Sequence, residues 1–391
     1  MEFHPDMGYV ENGIDLTNVN LYKTTNQPFG RASILPPFSY RSKIFSDLED
    51  EKLWTRNWVA IGSIHEIPNA GDLLPYTVGH HGVHVQRELG GNLIGRFNKA
   101  QHGGCRAIPL QCQTGKKTKC SFTSCGYSRD RGVIRVEEIG ENTPTMHQYL
   151  GLIPERLLPV KVATWNSFVL VNLVHGCSDL CDSIPILPKS TLSVLSNKFT
   201  LQNSEWFKCK SNWKLAGRAF FDNQNICKNS SVAQSANILN GFSTTNLSAH
   251  ELGINTENNV GGVDLFWLFP NLLLVMHKSF IVCVIIQPTS MGDCILRTSL
   301  FTKGKKELAS DNLHLPPDWS SYMQAILFRA QAMQNKTDKL IAPGAPKLTD
   351  DMIPIETSEA GHAFLQFLTR QIEIKHEYYW NAPLFSANIR C

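Results

Sequence analysis

The chain has no apolar run of the ~20 residues that a membrane helix needs. Its longest apolar stretches, "LFWLFPNLLLVM" (Leu265–Met276) and "FIVCVIIQP" (Phe280–Pro288), are short and broken by Pro or polar residues, which excludes membrane insertion by helices. No block of basic residues or aromatic–basic alternation is present and the formal net charge is only +3, so a nucleic-acid partner is not expected. The first residues, "MEFHPDMGYVENGIDL", lack the basic start and apolar run of a secretory signal, and the expectation is a cytoplasmic protein. Internal repeats and low-complexity tracts are also lacking. A Gly-rich phosphate loop, a Gly-x-Ser-x-Gly elbow and a His-Glu-x-x-His helix are all missing, which removes the commonest hydrolase and nucleotide signatures.

Cysteine is not scarce. The count is 11, an odd number that argues against a fully paired disulfide framework. Cys105, Cys112, Cys120 and Cys125 crowd into one segment with His102 just before them. Four thiols and an imidazole are a complete tetrahedral set for Zn²⁺, although the spacings are looser than those of zinc knuckles. Zinc, an atypical iron–sulfur cluster, reduced thiols and disulfides are the readings open for this group. Cys209, Cys227 and Cys283 read as small buried hydrophobes. His80, His81 and His84 in "GHHGVHV" are a second candidate ligand group, but the segment reads as a turn entering a strand.

Residues 1–45, rich in Asn, Pro, Gly and Thr, read as an extended arm able to wrap a partner subunit. In "FSDLEDEKLWTRNW" (Phe45–Trp58), Ser46 with Glu49 three residues on has the form of a helix-opening capping box. Brief alternations such as "VHVQREL" and "LIGRFN", punctuated by Gly, predict a small antiparallel β-domain over 46–155 with the Cys cluster in its loops. From residue 156 onward, "TWNSFVLVNLV", "GGVDLFWLFPNLLLVMHKSF", "IVCVIIQP" and "CILRTSLF" predict a curved antiparallel sheet over 156–391. Helices are expected at "SNWKLAGRAFFDNQNICKN", "DWSSYMQAILFRAQAMQ" and "SEAGHAFLQFLTRQIEIKHEYYW".

In that order, "LWTRNWVAIGSIHEIPNAGDLLPYTVG", "TWNSFVLVNL", "SNWKLAGRAFFDN", "WLFPNLLLV" and "IIQPTS" resemble the alpha subunits of Rieske non-haem iron oxygenases, the ring-hydroxylating and demethylating enzymes. The resemblance implies an α+β chain: an N-terminal Rieske-like antiparallel β-domain followed by a helix-grip domain with a curved antiparallel sheet and helices. It also implies a trimer in which one subunit's cluster lies beside the next subunit's iron.

The ligands that the resemblance calls for are not in place. A Rieske cluster takes two thiolates on one iron and two imidazoles on the other. The family supplies them as Cys-x-His and Cys-x-x-His; here the first loop keeps His102 but has Ala100 at the Cys position. In the second loop, aligning on Cys120 puts Thr123 at the His position. Aligning on Gly126–Tyr127 instead puts Phe122 and Cys125 at the Cys and His positions. The mononuclear iron takes two His and one carboxylate. Counting from "NWKL", its His positions fall on Asn225 and Ser230, or one further on, and no His occurs between His175 and His250. Asp222 resembles the acidic residue that bridges cluster and iron between family subunits, and its plainer reading is a helix-terminal Asp.

The expectation is therefore a non-catalytic member of the family, without the standard [2Fe–2S] cluster or mononuclear Fe(II). Its role would be that of a structural or regulatory subunit, in a homo-oligomer or beside an intact alpha subunit. The alternatives are an active oxygenase with an atypical ligand set and a protein that binds a small apolar ligand.

Overall fold

The computed structural model describes residues 8–97, 133, 135, 159–174, 176–183, 199–221, 237–239, 242–247, 263–276, 280–303, 319–341 and 359–373. Among the described residues the architecture is α+β, with two large antiparallel sheets, a two-stranded hairpin and few helices. The described residues divide into two compact units, 54–183 on one side and 8–53 with 199–373 on the other.

The first unit is a six-stranded antiparallel sheet in the order β3-β8-β7-β6-β5-β4. Its strands are β3 (Val59–Ser63), β4 (Leu73–Val78), β5 (His81–Arg87), β6 (Leu93–Phe97), β7 (Pro159–Trp165) and β8 (Phe168–Asn172). Tight turns set its register. Asn166, with φ of 51°, closes the β7–β8 hairpin between the Trp165↔Phe168 pair, as left-handed Asn does in two-residue hairpins. A Cβ at Gly95 would overlap the Val162 side chain, so only Gly lets β6 approach β7 this closely. Strands β3, β4 and β8 are buried along their whole length, and the core comprises Val59, Ile61, Leu74, Tyr76, Val83, Val85, Val169 and Val171.

Strands β7 and β8 pair with β6 and β3, which places "TWNSFVLVNL" in this sheet and not at the opening of the second sheet where the sequence reading put it. The cause is topological. Strand β3 ends this sheet, and β8 supplies the partner for its backbone N–H and C=O groups.

The second unit is a seven-stranded antiparallel sheet in the order β10-β11-β12-β13-β14-β15-β9. These strands are β9 (Phe199–Cys209), β10 (Asn237–Leu239), β11 (Phe242–Leu247), β12 (Val263–Leu268), β13 (Leu272–Met276), β14 (Phe280–Ser290) and β15 (Asp293–Lys303). Three helices pack with it: α3 (Trp213–Phe221) on β14 and β15, α4 (Trp319–Ile341) on α3 and β9, and α5 (Glu359–Glu373) on α3 and β11. The other α-helices among the described residues are α1 (Lys43–Glu49) and the single turn α2 (Leu180–Ser183). Every residue of α3 is buried, including Lys214 and Arg218. Helix α5 buries an apolar stripe at i, i+4 spacing, Phe364, Leu368 and Ile372. No helix among the described residues is long and apolar enough to cross a membrane.

Two expectations for the N-terminal segment need correction. Residues 8–45 are packed on their own chain, not extended as an arm. Tyr22 is fully buried and its hydroxyl donates to the Leu16 carbonyl at 2.6 Å. Asn26 donates to Glu373 at 3.2 Å, and the His362 ring lies 3.0 Å from the Thr25 carbonyl, fastening the segment to α5. The small hairpin of β1 (Val10–Glu11) and β2 (Ile14–Asp15) precedes it. Helix α1 also opens earlier than Ser46: its cap is Ser42, whose side chain accepts from the Phe45 N–H at 3.0 Å. The helix runs on as a π turn, Asp50–Trp54. Glu49 is 4% exposed and takes no part in a capping box.

Candidate functional site

Helix α3 leads directly into the positions at which the family resemblance puts the mononuclear iron, and its first turn is held by four elements. Asn212 caps it, its side-chain oxygen accepting from the Lys214 N–H at 3.1 Å. The Asn212 amide nitrogen donates to the Tyr40 carbonyl at 3.2 Å and the Met291 carbonyl at 2.7 Å, while its backbone N–H donates to Gln334 at 2.8 Å. One residue thus joins the N-terminal segment and the β14–β15 turn through its side chain and α4 through its backbone N–H.

Behind the cap, the Lys214 ammonium donates to Glu49 Oε1 at 2.8 Å, and the Trp213 indole N–H faces Glu49 Oε2 at 3.4 Å. Both charges are removed from water, and the rings of Tyr40, Phe45 and Trp213 lie 5.3–5.5 Å from the Lys214 nitrogen. Burial holds the Lys214 pKa below the ordinary lysine value, and the Glu49 carboxylate works against that shift. Such a pair offsets its own desolvation only when both members are present.

At the other end of α3, the Phe221 ring stacks on Trp267 of β12 with centroids 5.1 Å apart, and Trp267 stacks on Phe364 of α5 at 4.0 Å. Phe269 meets Phe367 edge-on at 4.7 Å. Gly217 lies against the Trp267 ring, where a Cβ would overlap it. Aromatic side chains therefore fill the space between α3, β12 and α5, a packing worth about 0.5–1.5 kcal/mol per pair beyond the area buried. The single carboxylate of α4, Asp338, forms a two-pronged pair with Arg41 at 2.8 and 2.6 Å and is not turned toward this cluster.

In the six-stranded unit the described strand β6 ends at Phe97, and Arg135 lies beyond the Cys-bearing segment. Arg135 donates to the fully buried Asp72 at 2.7 Å and to the Glu66 carbonyl at 3.0 Å. Of the histidine trio, His80 lies in the β4–β5 turn, His81 opens β5, and His84 is buried within that strand. Ala100, His102, Cys105, Cys112, Cys120, Thr123 and Cys125 lie outside the described residues, as do Asp222, Asn225 and Ser230. Among the described residues no three His, Cys, Asp or Glu side chains gather as a metal site.

At the positions that the family resemblance gives, the sequence lacks the imidazoles that either metal centre takes. His102 is the sole imidazole in residues 98–132, where a Rieske cluster takes two. The residues after α3 offer amide, hydroxyl and thiol groups where the iron takes two imidazoles, and these oxygen and sulfur donors do not reproduce a two-His-one-carboxylate set. The described His362 is buried with its ring nitrogen at the Thr25 carbonyl.

Residue-by-residue reading missed Glu49. The signal was available: a lysine in the first turn of the largely apolar helix "NWKLAGRAFF" needs an acid partner when it is buried.

No protein-family profile matches the chain. Among sequence relatives, the chlorobenzene dioxygenase alpha subunit of Cupriavidus sp. (strain PS12) is 24% identical over 152 residues, 38% of this chain and 32% of the relative. Chloroplastic choline monooxygenase of Spinacia oleracea is 26% identical over 196 residues, 48% of this chain and 43% of the relative. The match spans well under half the length of either relative. Among solved structures, the quaternary ammonium Rieske monooxygenase CntA with gamma-butyrobetaine superposes with a TM-score of 0.58 at 14% identity, covering 91% of this chain and 99% of that one. Naphthalene 1,2-dioxygenase from Rhodococcus sp. bound to indole superposes with a TM-score of 0.56 at 14% identity, covering 87% and 94%. Over part of its length in sequence, and over most of it in fold, the chain is similar to the alpha subunits of Rieske non-haem iron oxygenases.

Proposed function

We propose that this chain is a Rieske-oxygenase-like subunit that supplies structure or regulation and not oxygen chemistry, assembled with an intact alpha subunit. One observation carries the reading: residues 176–249, which include α3 and the family's iron-ligand positions, contain no histidine. The cluster segment, with Ala100 and either Thr123 or Phe122 at ligand positions, points the same way. The folded parts remain well specified. Helix α3 is capped, ion-paired and fully buried although the residues it leads to cannot bind Fe(II) as the family does.

The competing reading is an active oxygenase with a reorganised ligand set. It draws on the oxygenase names of the relatives and on the five soft or imidazole donors His102, Cys105, Cys112, Cys120 and Cys125. The retained fold could instead bind a small apolar ligand, a reading for which the aromatic cluster gives no specific support.

Anaerobic incubation with Fe(II), sulfide and a thiol reductant separates the first two. We expect no Rieske-type visible absorbance or rhombic electron-spin signal in this chain, while an intact alpha subunit treated in parallel acquires both. Appearance of either signal here favours the oxygenase. Co-expression with an intact alpha subunit tests the partner: a mixed oligomer of defined ratio supports the subunit role, and strict segregation of the two chains contradicts it.

A further inference from the structure

Cys209 is the last residue of β9, the edge strand of the seven-stranded sheet, and Cys294 lies near the start of β15; the two are directly opposed in the ladder. Residues directly opposed in an antiparallel pair have Cα atoms ~4.5 or ~5.5 Å apart, and both values fall inside the ~4.4–6.8 Å window of disulfides. Opposed residues also present their side chains on the same face. Both thiols are free and each is 2% exposed.

The segments that a bridge would join are already fastened. Asn212, three residues after Cys209, donates to the carbonyl of Met291, three residues before Cys294. Closing the bridge therefore requires little movement of either strand. Because both thiols are buried and the corner is held by Asn212, peroxide reaches them only in transient sub-global openings of the β9–β15 corner, which limit the rate.

We propose that Cys209 and Cys294 form an oxidant-responsive dithiol that closes to a cross-strand disulfide and staples the edge strand β9 to β15. The oxidant is a hydroperoxide. The Cys209 sulfur attacks the peroxide O–O bond to give a sulfenic acid, and the leaving alkoxide or hydroxide takes the thiol proton. The Cys294 sulfur then displaces the sulfenic oxygen, which leaves as water with the second thiol proton. Two thiols are oxidised by two electrons, and one peroxide is reduced to an alcohol or water plus water. The hydrogen bond with Cys209, and then burial, push the Cys294 thiol above its ordinary value, so closure is slow and follows opening of the corner. The inference is independent of the proposed function, because neither cysteine is a candidate metal ligand.

The test uses the full-length reduced protein, exposed to hydrogen peroxide under native conditions, alkylated and mapped with chymotrypsin, which separates Cys209 from Cys227. The expected result is a Cys209–Cys294 linked peptide that accumulates with time and disappears on reduction. The thermal midpoint of the oxidised protein should rise by about 5 °C or more, a rise absent from C294A. Recovery of both cysteines in alkylated form after oxidation overturns the proposal. So does a link that forms only in urea-unfolded protein, or a rise in midpoint that persists in C294A.

Discussion

Glu49 and Lys214 face each other across the interior of the seven-stranded unit, carboxylate oxygen to ammonium nitrogen at 2.8 Å, with 5% and 0% of their side chains exposed. The pair joins α1 to α3 and makes the N-terminal segment part of the fold it would otherwise only flank. A buried ion pair of this kind adds little net stability over an apolar pair but penalises heavily any state in which one partner is missing.

Substituting Glu49→Gln should therefore cost about 3–5 kcal/mol, read as a lower urea midpoint, because Lys214 is left buried and unpaired. The double variant E49L/K214M should recover most of that loss. The pH dependence has a definite sign. A lysine whose folded pKa lies below its unfolded value destabilises the fold while charged, and that penalty lifts as pH rises from the folded value toward 10.5. The E49Q protein should gain stability relative to wild type between pH 7 and pH 10 in urea titrations.

Gly217 to Ala reverses an ordinary preference. Alanine favours an exposed helix by ~1 kcal/mol, yet here the added methyl meets the Trp267 ring. Net destabilisation of about 1–3 kcal/mol is expected, and W267F in the same chain should restore part of it. Differential scanning calorimetry of the two single variants and the double variant measures the coupling.

Arg41 and Asp338 form a pair on the surface, their side chains 41% and 36% exposed. The Arg41 hydrogen bond holds the Asp338 carboxyl below its ordinary value of 3.8. The stability it contributes is complete above pH 3.8 and is lost as pH falls through the lowered folded value. The deficit of D338N should be under about 1 kcal/mol at pH 7 and should close on acidification below the ordinary carboxyl range. Guanidinium melts of both proteins from pH 7 to pH 2 check this.

Restoring ligands tests the cluster argument by gain of function. The A100C/T123H variant recreates Cys-x-His at 100–102 and Cys-x-x-His at 120–123. It should take up iron and sulfide on anaerobic reconstitution and show Rieske-type absorbance that the parent lacks. If parent and variant give the same spectrum, the alignment on Cys120 is wrong.

Strands with alternating or continuous apolar residues, such as "VHVQREL" and "IVCVIIQP", were legible because their side-chain period is short and local. The amphipathic helix at 359–373 was legible for the same reason. Strand pairing was not. Nothing within "TWNSFVLVNL" says that its neighbours are β3 and β6, because sheet order is decided by backbone partners far away in sequence. The helix start at Ser42 was obscured because Ser46 and Glu49 mimic a capping box, while Glu49 is committed to a lysine 165 residues away. The candidate metal positions rest on family resemblance alone, and all of them lie outside the described residues.

Iron, zinc and acid-labile sulfide per chain in untagged, anaerobically purified protein, with its visible spectrum, decide whether this chain carries the metals of an oxygenase. The account predicts neither stoichiometric iron nor sulfide and no Rieske absorbance; zinc alone is compatible with it and marks a closed thiolate site at Cys105, Cys112, Cys120 and Cys125. About three iron and about two sulfide per chain, with visible bands bleached by dithionite, would contradict it and restore the oxygenase reading.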